Sequence, residues 1–147
     1  MSRVLTYERL IHASPEQVFD AFTSPEGQRA FYSQDEPGWI VESHNDLRVG
    51  GTWSISFGSD PDQLYQHHNV FEEIDRPHRL RMSTTEIRLD GSQLLIDVDF
   101  TFAARGEETL MTMTQSGFPS DAFRDEHGIG VPAAFDNLER ALAGSPP

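Results

Sequence analysis

Downstream of Pro37-Gly38 the residues keep a period of two, in the runs Trp39–Ser43, Gly51–Gly58, Tyr65–Ile74, Leu80–Leu89, Leu94–Ala103 and Thr109–Gly117. Successive side chains of an extended strand point to opposite faces, so this period describes strands with one buried and one wet face. Trp53, Ile55 and Phe57 alternate with Thr52, Ser54 and Ser56, and Ile96, Val98, Phe100 and Phe102 alternate with Asp97, Asp99 and Thr101. Turn formers part the runs: Val49-Gly50-Gly51, Gly58-Ser59-Asp60-Pro61-Asp62, Asp75-Arg76-Pro77-His78 and Asp90-Gly91. Short connections join antiparallel neighbours, so the pattern predicts a meander whose apolar face must be covered.

The flanking segments supply the cover. Val4 to His12 are rich in strand formers, and Ala13-Ser14-Pro15-Glu16 then reads as a helix start, with Ser at the N-cap, Pro at the first helical position and an acid in the first turn. Val18, Phe19, Ala21 and Phe22 share one helical stripe; Ser24-Pro25-Glu26-Gly27 interrupts it before a second short helix carrying Ala30, Phe31 and Tyr32. From about Ser120, Val131, Ala134, Phe135, Leu138, Ala141 and Leu142 recur at helical spacing up to Gly144. The expected product is one α+β domain over residues 1–147: an antiparallel sheet of six or seven strands, two short helices after the first strand, and a long C-terminal helix on the sheet. The Pro-rich tail, residues 144–147, is expected to be flexible.

Composition removes whole classes of chemistry. With no cysteine among 147 residues, disulfides, thiolate metal sites and thiol nucleophiles are excluded. All 11 basic residues are Arg, so Schiff-base chemistry and a phosphate-loop lysine are excluded as well. Against them stand 24 carboxylates, a net charge of −13 that repels nucleic acid and anionic membrane surfaces. The first residues lack a signal-peptide pattern and no stretch has the length of a membrane span, so a cytoplasmic protein with neither nucleic acid nor membrane as partner is expected.

Several segments, in order, resemble one known superfamily. They are Ile11-His12-Ala13-Ser14-Pro15-Glu16-Gln17-Val18-Phe19-Asp20-Ala21-Phe22, then Asp46-Leu47-Arg48-Val49-Gly50-Gly51-Thr52-Trp53, then Phe71-Glu72-Glu73-Ile74-Asp75-Arg76-Pro77-His78-Arg79-Leu80. The strand Thr109 to Phe118 and the closing helix with Phe135 and Leu138 fit the same pattern. The chain thus resembles the START-like, or SRPBCC, superfamily and, within it, the branch of heat-shock-protein-90 ATPase activator-like proteins. The resemblance implies a helix-grip fold of the START and Bet v 1 kind, a curved sheet wrapped around a long C-terminal helix with a cavity between them. Many relatives carry Trp after the Gly that opens the last helix; here the residues are Gly130-Val131-Pro132, which implies a less filled pocket.

The expected ligand is a hydrophobic small molecule, aromatic or lipid-like, held by Phe31, Tyr32, Trp39, Trp53, Phe57, Met82, Phe100, Phe102, Met113, Phe118 and Phe135. The same side chains could instead simply fill the core. His67-His68 is the conspicuous polar pair, and only one of two adjacent strand residues can face a cavity. Glu86 shares the parity of Leu80, Met82 and Thr84, so it can be carried inward, with Arg88 as its neutraliser or with both in a rim salt bridge. For a polyketide cyclase or dehydratase-type enzyme, His68 and Glu86 are the candidate proton carriers. Arg9 is either a cavity anchor or a strand residue reaching to water.

Other features point to bland roles. Asp97 and Asp99 belong to the wet face, Asp60-Pro61-Asp62 lacks the rest of a calcium loop, and Gly50-Gly51 and Gly128-Ile129-Gly130 lack the context of phosphate or dinucleotide loops. His12, His44, His78 and His127 are scattered without a ligand cadence, so neither metal nor cofactor is expected. A third reading is an interaction module that presents the acidic outer sheet to a basic partner. The edge run Trp39–Ser43 leaves a homodimer open.

Overall fold

The structure, a computed structural model, describes residues 3–33 and 37–143, so the 144–147 tail lies outside the described residues. The element order is β1 (Val4–Ile11), α1 (Pro15–Thr23), α2 (Pro25–Phe31), β2 (Ile40–Asn45), β3 (Thr52–Asp60), β4 (Gln63–Asp75), β5 (Arg79–Ile87), β6 (Gln93–Arg105), β7 (Glu108–Ser116), α3 (Asp121–Ile129) and α4 (Val131–Ala143). The strands form one seven-stranded antiparallel sheet in the order β1-β7-β6-β5-β4-β3-β2. Six strands follow the chain as a meander; β1 returns to pair with β7, with Val4 opposite Ser116 and Ile11 opposite Thr109.

Local chemistry sets the boundaries. Ser14 caps α1 by accepting from the Gln17 amide, and the Gln17 side chain accepts from the Ser14 amide, a reciprocal capping box ahead of Pro15. Ser24 ends α1 and caps α2 by accepting from the Gly27 amide. At the β2–β3 connection Gly50 has φ +82°, a left-handed conformation that a side chain disfavours.

The closing helical segment starts with Ser120 as N-cap but is broken between Ile129 and Val131. Pro132 has no amide hydrogen for an uninterrupted helix, but it is tolerated in the first turn of a new one. The Gly130 carbonyl accepts from the Ala134 amide and starts that turn. The break lets α4 bury Phe135 and Leu138 completely, whereas α3 buries no residue fully.

The core lies between the concave sheet face and the helices. Phe19 and Phe22 of α1, Phe135 and Leu138 of α4, and Trp53, Phe71, Phe102 and Met111 of the sheet are all at most 2 % exposed. Phe22 meets the rings of Phe31, Trp53 and Phe100 at centroid distances of 5.2, 5.8 and 4.6 Å. Arg9 clamps α4 to β1: it donates to the Asp136 carboxylate, to the Tyr7 hydroxyl at 2.7 Å and to the Pro132 carbonyl at 3.3 Å. It therefore neither lines the pocket nor simply reaches to water. Asp97 and Asp99 lie on the convex face, where Asp99 takes a two-pronged contact from Arg79 at 3.0 and 2.6 Å.

Candidate functional site

At the end of the sheet where α2, α3 and α4 meet β3, β4, β5 and β7, a partly open pocket of about 620 Å³ remains. Its apolar wall is Phe31, Phe57, Met113, Val131 and Ala134, and its polar wall is Tyr32, His67, Glu86, Gln115 and His127. A narrow inner extension of about 40 Å³ reaches Phe22, Trp53, Met82 and Phe100. A third recess of about 240 Å³ opens beside Tyr65, Ile87 and Arg88. His67 and Glu86 line all three spaces.

Strand parity explains why these two side chains meet. His67 and Glu86 are direct register partners on β4 and β5, and both share the concave face with buried Asn69, Phe71, Thr84 and Met82. The register of β4 shifts only beyond Phe71 on one side and beyond Tyr65 on the other, so residues 65–71 alternate without interruption. His67 accordingly points into the pocket. His68 is on the convex face, exposed, beside Ser54 Oγ at 3.1 Å and Gln66 Oε1 at 3.3 Å. The imidazole of the pocket is therefore His67, and His68 is separated from Glu86 by the sheet.

The polar wall is one connected chain. The Tyr32 hydroxyl is 2.9 Å from His67 Nδ1, His67 Nε2 is 3.8 Å from Glu86 Oε2, and His127 Nε2 is 2.7 Å from Glu86 Oε1. His127 Nδ1 stands 3.0 Å from the Phe123 carbonyl. A carbonyl oxygen can only accept, so His127 Nδ1 carries a proton, and its Nε2 shares another with the carboxylate. Burial lowers the pKa of His127, but the Glu86 hydrogen bond and charge outweigh it and raise the imidazole above its usual range. Burial raises Glu86, yet the His127 hydrogen bond and the neighbouring imidazoles hold its carboxyl below the usual range. The pair is an imidazolium on a carboxylate.

His67 has the opposite fate. Burial pushes it down to about 4 against the pull of Glu86, so it is neutral near pH 7. Its one ring proton belongs on Nε2, toward the carboxylate, which leaves Nδ1 to accept from Tyr32. Burial, and then the Glu86 charge, push the Tyr32 hydroxyl well above its ordinary value, so it keeps its proton.

The expected binding residues separate into three groups. Phe31, Tyr32, Phe57 and Met113 line the main pocket, while Trp53, Met82 and Phe100 line the inner extension. Trp39, Phe102, Phe118 and Phe135 line none of these spaces. Trp39 donates to the Tyr32 carbonyl at 3.0 Å; Phe102 packs on Phe19, Phe135 on Tyr7 and Phe31, and Phe118 on His127. Arg88 stacks over Phe123 at 4.5 Å and comes within 3.8 Å of Glu126, so the close partner of Glu86 is His127.

Sequence reasoning did not single out His127, Gln115, Asn137 or Arg140. A signal for the first was present: with Ser120 as N-cap, Phe123 and His127 fall four apart on one helical face. Gln115 shares strand parity with Met111 and Met113, and its Oε1 is buried with no hydrogen-bond partner. At the mouth, Asn137 donates to the Ser33 carbonyl at 2.7 Å and Arg140 donates to Asn137. Among the described residues no group of three or more His, Asp or Glu side chains is arranged to hold a metal ion, and no helix is long and apolar enough to cross a membrane.

Comparison with known proteins agrees with this architecture. The family model described as "Activator of Hsp90 ATPase homolog 1-like protein" matches residues 12–143. No curated protein matches the sequence. Among solved structures, protein CV1439 from Chromobacterium violaceum is similar with a TM-score of 0.81 at 20 % identity, covering 95 % of this chain and 96 % of its own. Protein MLL2253 from Mesorhizobium loti gives 0.75 at 23 % identity, with 97 % and 98 % covered. Protein Ms6760 from Mycobacterium smegmatis gives 0.76 at 17 %, with 98 % and 90 % covered. At these identities the likeness is one of fold.

Proposed function

The chain belongs to the family of Activator of Hsp90 ATPase homolog 1-like proteins, and from that membership and its pocket we propose that it binds a hydrophobic small molecule between sheet and closing helices. The observation that carries the reading is the division of the pocket into an apolar wall and a connected polar wall. An aromatic or lipid-like body gains by leaving water against Phe31, Phe57, Met113, Val131 and Ala134, while the polar wall fixes its orientation. An interaction module would be served by a filled core, so a space of about 620 Å³ favours the ligand. Native mass spectrometry of the purified protein, followed by denaturing extraction and a thermal-shift screen of aromatic and acyl compounds, tests the proposal. A co-purifying small molecule, or a melting temperature raised by such compounds, is the expected result. An empty protein that no compound stabilises would end it.

A second reading has its own observation. His67 and His127 flank one carboxylate and are pushed to opposite protonation states, the arrangement that general acid–base catalysis requires. In this reading His67 stands where His68 was expected, and Glu86 and Tyr32 complete the proton path of an enzyme of the cyclase or dehydratase kind. Turnover of a ligand identified by extraction, lost by a factor on the order of 10²–10⁴ in His67→Ala, is the expected outcome. Unchanged turnover in that variant would refute it.

A further inference from the structure

Counting protons around the polar wall says what the ligand must bring. The Tyr32 hydroxyl spends its only hydrogen on His67 Nδ1, so toward the pocket it offers oxygen lone pairs. Glu86 is ionised; Oε1 is taken by His127, and Oε2 has only His67 Nε2 at 3.8 Å, too long for a hydrogen bond. Gln115 Oε1 is buried on the same wall with no partner at all. A buried acceptor left unpaired costs about 1–3 kcal/mol, so the orphaned Gln115 Oε1, beside a carboxylate oxygen of Glu86 that no hydrogen bond holds, favours a ligand group that donates.

Charge points the same way. Glu86 and Glu126 line the pocket, and the His127 proton is already committed to Glu86, so an anion placed at the inner end would face a carboxylate without a free cation. The pocket's guanidinium, Arg140, is exposed at the mouth on α4.

We propose that the pocket selects neutral hydrogen-bond donors: an aromatic or aliphatic hydroxyl compound whose single O–H is received by one acceptor of the polar wall, Gln115 Oε1 or Glu86 Oε2. This rests on the ligand-binding reading above and adds the chemical class of the ligand's polar end. A ligand that can only accept, such as an ether or ketone, leaves these oxygens unpaired; a carboxylate meets Glu86.

Four compounds of one shape decide it by calorimetric titration against the wild-type protein at pH 7: 2-naphthol, 2-methoxynaphthalene, naphthalene and 2-naphthoate. The naphthol is expected to bind on the order of tenfold or more tighter than the methoxy compound and the hydrocarbon, with the naphthoate weakest. In Gln115→Leu the gap between naphthol and methoxynaphthalene is expected to narrow. If naphthol and methoxynaphthalene bind alike in the wild type, or naphthoate binds best through Arg140, the donor rule is overturned and the ligand-binding reading survives. If none of the four binds, an aromatic-binding pocket is itself refuted and the donor rule falls with it.

Discussion

Glu86 faces two imidazoles that are in opposite states: one is bonded to it at 2.7 Å, while the other stands off at 3.8 Å, where the charge does not offset the burial that lowers its pKa. Linkage turns this into pH dependence with definite signs. His127 is raised in the fold above 6.5, so its contribution is complete below that value and is lost as pH rises through the folded pKa. Glu86 is lowered from 4.5; its contribution is complete above that value and is lost as pH falls through the folded pKa. The ion pair therefore contributes fully between about pH 4.5 and 6.5. His67 acts oppositely: the unfolded chain takes up a proton near 6.5 that the folded site refuses until about 4, so stability falls on acidification across that interval. Histidine NMR titration is expected to find His67 neutral down to about pH 4 and His127 protonated past 6.5. In Glu86→Gln the His127 titration should move down, because the hydrogen bond and charge that raise it are gone. Two histidines titrating together near 6.5 would dissolve the proposed chain.

Among the elements, the junction of α1 and α2 does most to place the pocket's front wall, since α2 carries Phe31 and delivers Tyr32 as its C-cap. One residue, Ser24, separates the helices; its hydroxyl donates to the Ala21 carbonyl at 2.8 Å and accepts from the Gly27 amide at 3.0 Å. Gly27 lies so close that a Cβ built on it would sit 1.7 Å from the Ala21 carbonyl oxygen, with backbone on both sides of the clash. Gly27→Ala is expected to cost about 2 kcal/mol or more, read as a lower midpoint of urea unfolding, because the helices must separate to admit a methyl group. An unchanged midpoint would mean that the helices cross elsewhere. The elements were largely legible in the sequence: alternation placed the six strands β2 to β7, strand-forming residue types placed β1, and Ser14-Pro15 and Ser24-Pro25 marked both short helices. The site was legible only in part. Glu86 could be assigned inward by parity, but choosing between His67 and His68 needed the bulge positions, which depend on pairing with β3 and β5. His127 was invisible as a partner because its contact spans 41 residues and exists only once α3 docks on the sheet.

For the molecule as a whole, the question is whether the space between sheet and closing helices is a binding site or merely imperfect packing. Enclosed voids are normally small, because lost contacts are costly, and the ligand binding proposed above gives a partly open pocket of about 620 Å³, with a buried acceptor and an ion pair in its wall, a use that poor fit would not. The residue that opens α4 tests this. Val131 lines the pocket at the position where the resemblance to related sequences calls for Trp, and it follows the Gly130 break that sets the direction of α4. In Val131→Trp an indole would occupy part of the space and gain apolar contact with Phe31, Met113 and Ala134. If the space serves a ligand, affinity for 2-naphthol should fall by a factor on the order of ten or more, because ligand and indole compete for one volume. The melting temperature of the unliganded protein should hold or rise, since filling a cavity restores contacts and the domain need not expand. Retained affinity in a stable Val131→Trp protein would place the ligand elsewhere. Lost affinity with an unshifted or raised melting temperature separates a filled site from a damaged fold, which a simple truncation of Phe31 or Phe57 could not do.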